Sequence, residues 1–179
     1  SQGQIIGYGW NDRLNIVKWA QLLAEENSDC QITLFGVSMG GATVMMASGE
    51  ETLPKQVVNI VEDCGYSSVW DELKYQAKAM YNLPAFPILY EVSAVSKVRA
   101  GFSYGQASCV KQLKNNTRPI LFIHGSEDKF VPTSMVYKNY RATNSEKDLY
   151  IAKGAAHAKS FESDPKTYIE KISAFLQKN

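Results

Sequence analysis

Residues 31–48 read QITLFGVSMGGATVMMAS, and this stretch decides the fold. An apolar run suited to a buried strand leads into Gly36-Val37-Ser38-Met39-Gly40, and a small-residue stretch suited to a helix leads out. A Gly-x-Ser-x-Gly arises by chance in roughly 5 % of chains this long at average composition, so the context carries more weight than the letters. Between a strand and a helix, such a serine is held on a tight, strained turn that lifts its hydroxyl out of the sheet. A Cβ at Gly36 or Gly40 is expected to clash where helix and strand approach. The helix start leaves N–H groups without intrahelical partners, so the backbone N–H of Met39 is the natural donor to an oxyanion.

The rest of the chain alternates around this junction. Residues 11–27 read as a helix with Ile16, Val17, Ala20 and Leu23 on one face. Strands are expected at 31–37, 57–62, 119–124 and 147–152, and helices at 39–48, 133–142 and 164–177. The last helix opens with Asp164 as a cap and Pro165 at its first position. Its expected buried stripe is Tyr168, Ile169, Ile172, Phe175 and Leu176. Residues 66–114 break the rhythm: they are aromatic, carry Pro84 and Pro87, and read as two or three short helices. Four strands, each followed by helix, imply an α/β domain with a parallel sheet covered on both faces.

A serine hydroxyl needs a base to take its proton, and only His124 and His157 are available. His157 lies in a small-residue loop directly after the last strand, where a reactive group is placed. His124 ends an apolar strand and reads as a packing residue beside the following loop. That loop, HGSEDKFVP over 124–132, offers Asp128 as the carboxylate that orients the base, with Glu127 as its rival. The chain order is Ser38, Asp128, His157.

GVSMGG (36–41), HGSEDKFVP and GAAHAKS (154–160) together resemble the α/β-hydrolases, over nearly the whole chain. IGYGWNDRLNIVKW (6–19), DCGYSSVWDEL (63–73) and AGFSYGQAS (100–108) look like a bacterial subgroup of esterase-like or peptidase-like members. The resemblance implies the C-terminal portion of that fold, residues 1–179 as a single incomplete domain, and a small helical cap near 66–114. It implies a serine hydrolase that cleaves ester, amide or thioester bonds of small molecules through an acyl-enzyme. A peptidase, a thioesterase and a non-catalytic binding protein stay as alternatives. The aromatic residues Tyr66, Trp70, Phe102 and Phe130 are expected to wall the substrate site.

The resemblance also implies strands upstream of Ser1, and with them the second oxyanion donor. A fragment with a weakened site is therefore expected, or self-association through the open strand at 31–37. Net charge is +1, with 19 basic and 18 acidic residues, so no nucleic-acid surface is expected. No run of 18 apolar residues occurs, and the opening SQGQ lacks the features of a secretory leader. Location stays open between cytoplasmic and membrane-anchored through an upstream segment. Cys30, Cys64 and Cys109 are widely spaced, and neither histidine is near them in sequence. Reduced thiols are expected, with no metal and no cofactor.

Overall fold

A computed structural model describes residues 5–178. Residues 1–4, on which the reading of the chain's start rested, lie outside the described residues. Four parallel strands, β1 (Ile32–Val37), β2 (Val57–Asp63), β3 (Ile120–Gly125) and β4 (Lys147–Ala152), form one sheet in that order. Each chain reversal passes through helix, as parallel strands require. This is the α/β-hydrolase arrangement expected from the sequence.

Side chains of β2 and β3 point alternately to two cores. Ile60, Ile120 and Phe122 join the larger one, with α1 (Asp12–Glu26), α2 (Met39–Ala47) and α6 (Ser134–Ala142) around it. Val61, Leu121 and Ile123 join the smaller one, closed by Tyr168 and Phe175 of α8 (Pro165–Lys178). β1 differs: Leu34 is buried, but Phe35 and Val37 on its other face are exposed. No further strand pairs with its outer edge among the described residues.

α2 is the most deeply set helix. Residues Gly41 to Ala47 are all buried, because Gly, Ala and Val let its backbone lie close to β1 and β2. Between β2 and β3 lie α3 (Val69–Tyr81), α4 (Ile88–Ala100) and α5 (Cys109–Leu113). The first two have 13 residues each, longer than expected. Ser68 caps α3 by accepting from the Asp71 N–H, and Ser108 caps α5 through the Lys111 N–H. Asp164 caps α8 as predicted, accepting from the Thr167 N–H at 3.1 Å. A short helix, α7 (Ser160–Ser163), was not foreseen.

Two expected faces are narrower than the sequence pattern suggested. In α8, Tyr168 and Phe175 are buried while Ile169 and Leu176 are exposed. In α1, Val17 and Ala20 are buried while Leu23 is exposed. Each helix meets its core along a single line of contact, so residues flanking that line stay in solvent. No described helix is long and apolar enough to cross a membrane.

The glycines of the turn after β1 have unequal roles. A Cβ on Gly36 would collide with the Gly40 carbonyl, and one on Gly41 would come within 3.1 Å of the Asp63 carbonyl. A Cβ on Gly40 would meet open space. The expected clash at Gly40 is therefore absent, and Gly41 makes the close approach instead. Gly36→Ala should destabilise the protein by about 1–3 kcal/mol through overpacking. Gly40→Ala should be neutral, or stabilising by up to about 1 kcal/mol from helix propensity. Urea unfolding of the two variants checks the contrast.

Candidate active site

Ser38 adopts φ 56° and ψ −117°, outside the regions comfortable for a residue with a Cβ. Two interactions hold it there. Its N–H donates to the Asp63 carbonyl at the end of β2, and its carbonyl accepts from the Ala42 N–H inside α2. The residue is thus shared by strand and helix, and its side chain projects from the carboxyl end of the sheet. Met39 opens α2, so its N–H belongs to the first turn, which no carbonyl four residues back can satisfy.

The Ser38 hydroxyl lies 2.8 Å from His157 Nε2. His157 Nδ1 lies 2.8 Å from Asp128 Oδ2. A carboxylate only accepts, so Nδ1 carries the proton of the neutral ring and Nε2 faces the hydroxyl as acceptor. The loops after β3 and β4 are tied together to make this possible. The Ser126 and Glu127 N–H groups donate to the Ala152 and Ala155 carbonyls, and the Gly154 N–H donates to Ser126 Oγ. Glu127 is exposed, and Asp128 is the residue turned inward to His157. Phe130 lies against the imidazole, with ring centroids 4.9 Å apart.

Asp128 is buried and richly supplied with donors. Its Oδ1 accepts from the Phe130 and Val131 N–H groups, both at 2.9 Å. Its Oδ2 accepts from His157 and lies 3.3 Å from His124 Nε2. Burial alone would raise this carboxyl. The hydrogen bonds from His124, His157 and Val131 outweigh burial and hold it well below the usual carboxylate range. The single Nε2–H of His124 is shared between Asp128 and the Val131 carbonyl, which lies nearer at 2.9 Å. His124 therefore pins both the acid and the acid's loop, which is more than the packing role expected of it.

A second set of contacts was not visible in the sequence. Asp63, whose carbonyl holds Ser38, accepts at its carboxylate from Ser160 Oγ (2.9 Å) and Tyr168 OH (3.0 Å). One residue at the end of β2 thus anchors the Ser38 turn and the segment just after His157. Burial raises its pKa despite those hydroxyl donors. The neighbouring Glu62 is fully buried, with one oxygen accepting from the Gly65 N–H, and burial raises it further. Only spatial pairing across about a hundred residues connects Asp63 to Ser160 and Tyr168, so no local pattern could have revealed it.

Cys64 also lies at the site. Ligand atoms of Cys64, Asp128 and His157 fall within 4.8 Å of one another, although Cys64 is far from His157 in sequence. Sequence distance was therefore a poor guide to thiol–imidazole proximity. Burial pushes the Cys64 thiol far up, which disfavours the thiolate that binds metal. The three cysteines are free, with Cys64 and Cys109 buried.

A cavity of about 210 Å³ opens at Ser38 and Met39. Tyr66 and Phe130 are among its walls, together with Val69, Leu73 and Val131. Trp70 and Phe102 are not among those walls. Trp70 packs edge-to-face on Tyr90 of α4, and Phe102 is buried in the core. Aromatic content alone could not separate wall from core, because both are apolar surroundings. Tyr8, Glu72 and Gln76 are walls that sequence reading did not select.

The sequence model of the prolyl oligopeptidase family matches residues 7–179. The chain is 29 % identical over 177 residues to the "Uncharacterized protein YqkD" of Bacillus subtilis (strain 168), covering 98 % of this chain and 58 % of that one. It is similar in structure to the Pyrococcus horikoshii acylaminoacyl peptidase (TM-score 0.68, 19 % identity, 94 % of this chain and 27 % of that one). It is also similar to the Pyrococcus furiosus esterase Pf2001 (TM-score 0.71, 18 % identity, 98 % and 65 %). At these identities the two structures speak for the fold alone. The chain spans a little over half the length of the curated relative it matches.

The depressed Asp128 carboxyl gives a linkage with a definite sign. Its contribution to stability is present above its unfolded-state pKa, near pH ~4, and is lost as pH falls below it. Glu62, Asp63 and Glu72, all raised, act in the opposite direction. Asp128→Asn should therefore lower the thermal midpoint at neutral pH, and by more there than at pH ~3. Calorimetry of both proteins at the two pH values tests this; an equal drop at both would count against it.

Proposed function

The chain belongs to the prolyl oligopeptidase family, and we propose that it acts as a serine hydrolase in which Ser38, His157 and Asp128 form the catalytic triad. The observation that carries this reading is the continuous pair of 2.8 Å contacts from the Ser38 hydroxyl through His157 to Asp128. His157 Nε2 takes the hydroxyl proton as Ser38 Oγ attacks the carbonyl carbon of an ester or amide. The Met39 N–H donates to the oxyanion that forms. His157 then gives the proton to the leaving group, whose bond to the carbonyl carbon breaks, and an acyl-serine remains. Water repeats the sequence with His157 again as base, and the acid product leaves with Ser38 regenerated. Asp128 stabilises the imidazolium at each stage, and its dense hydrogen bonding suits it to stay ionised throughout.

Small uncharged esters are the favoured substrates, because the cavity at Ser38 is mostly apolar and no basic side chain among the described residues lines it. The family match favours peptide-like amides as the second reading. Ser38→Ala should lower ester turnover by about 10⁴-fold or more and abolish labelling by a fluorophosphonate probe. Label that persisted in the variant would remove Ser38 from the role. Short acyl esters, aminoacyl amides and acyl thioesters assayed side by side separate the substrate classes.

A further inference from the structure

The cavity at Ser38 does not stand alone. A second, of about 300 Å³, lies between α3 and α4, with Tyr81, Leu83, Ile88 and Val92 among its walls. Tyr8, Leu73 and Gln76 are walls of both. The two cavities therefore adjoin at Leu73 and Gln76, and a ligand at Ser38 that follows α3 is directed toward the α3–α4 groove. The first cavity alone is small for an organic substrate, whereas the two in series fall within the usual range of ligand sites.

Two of the polar side chains along this route are already engaged. Gln76 Nε2 donates to Glu72 Oε1 and to the Phe130 carbonyl, each at 2.8 Å. The Tyr66 hydroxyl donates to the Tyr8 carbonyl. Glu72 Oε2 is buried and has no hydrogen-bond partner among the described residues, and burial raises the Glu72 carboxyl, which disfavours its charged form. Among the described residues, no Lys or Arg lines either cavity. Beyond Leu73 the groove offers Ala77, Leu83, Pro84, Ile88 and Val92, which reward apolar contact and provide no counter-charge.

We propose that the substrate of Ser38 carries an unbranched, uncharged, medium-chain acyl group, with its carbonyl at Ser38 and its tail running past Leu73 and Gln76 into the groove between α3 and α4. This rests on the reading of Ser38 as nucleophile. Each methylene that leaves water for the groove raises kcat/KM by up to about four-fold.

The test is the hydrolysis of p-nitrophenyl acetate, butyrate and octanoate by the full chain, with Ser38→Ala as the blank. The expected result is kcat/KM rising from acetate to octanoate. Val92→Asp and Leu73→Trp, one charging the far wall and one filling the passage, are each expected to lower the octanoate-to-acetate ratio by about ten-fold or more. Using two separate positions keeps the test open if one variant fails to fold, and circular dichroism identifies which do. Ser38-dependent hydrolysis that favours acetate, or a ratio that neither folded variant changes, would overturn the acyl-tail assignment and leave the nucleophile standing. Absence of any Ser38-dependent hydrolysis would overturn both.

Discussion

The bend at Ser38 is the constraint on which the rest of the site depends. A serine at φ 56° carries a strain on the order of 1–3 kcal/mol, and it persists only because its surroundings fix it from both sides. The β1–β2 ladder runs in register to Val37 and Asp63, and the Ser38 N–H takes the next bond to the Asp63 carbonyl. On the helix side, α2 is buried along nearly its whole length. The strain is local, while the interactions that hold it are spread over two strands and a helix. Cys64 and Ala158, which follow Asp63 and His157, also have positive φ. Three sharp main-chain bends thus converge where the hydroxyl, the imidazole and the ends of the strands meet.

Charge is sorted around that bend by hydrogen bonding. Asp128, Asp63 and Glu62 are all buried, and burial pushes every one of them toward the neutral form. What separates them is the number and kind of donors. Asp128 has two backbone amides and two imidazoles around it, and its pKa falls. Asp63 has two hydroxyls and Glu62 one amide, and theirs rise. The charged form is therefore favoured most at the one carboxylate that faces His157.

The segment between β2 and β3 links this machinery to the substrate side. Tyr75 and Gln76 of α3 donate to the Lys129 and Phe130 carbonyls, so the helix that walls the cavity also braces the loop bearing Asp128. Phe130 faces His157 on one side and the cavity on the other. Changes in α3 thus reach both the cavity wall and the position of Asp128.

The sequence by itself determined the strand–turn–helix at Ser38, the parallel sheet, and the placing of Asp128 and His157 in the loops that follow β3 and β4. Each of these is written in a short window: an apolar run, a glycine that a close approach requires, a polar loop after a strand. It did not determine which glycine after Ser38 is sterically required, which apolar residues of α1 and α8 reach the core, or which aromatics wall the cavity. Gly40 and Gly41, Leu23 and Val17, Phe102 and Phe130 look alike in sequence because composition and periodicity record polarity and not direction. The Asp63 anchor depends on where separate loops end in space. Only the packing of α2 and α8 on opposite faces of one sheet decided it, since that packing brings side chains about a hundred residues apart within hydrogen-bonding distance.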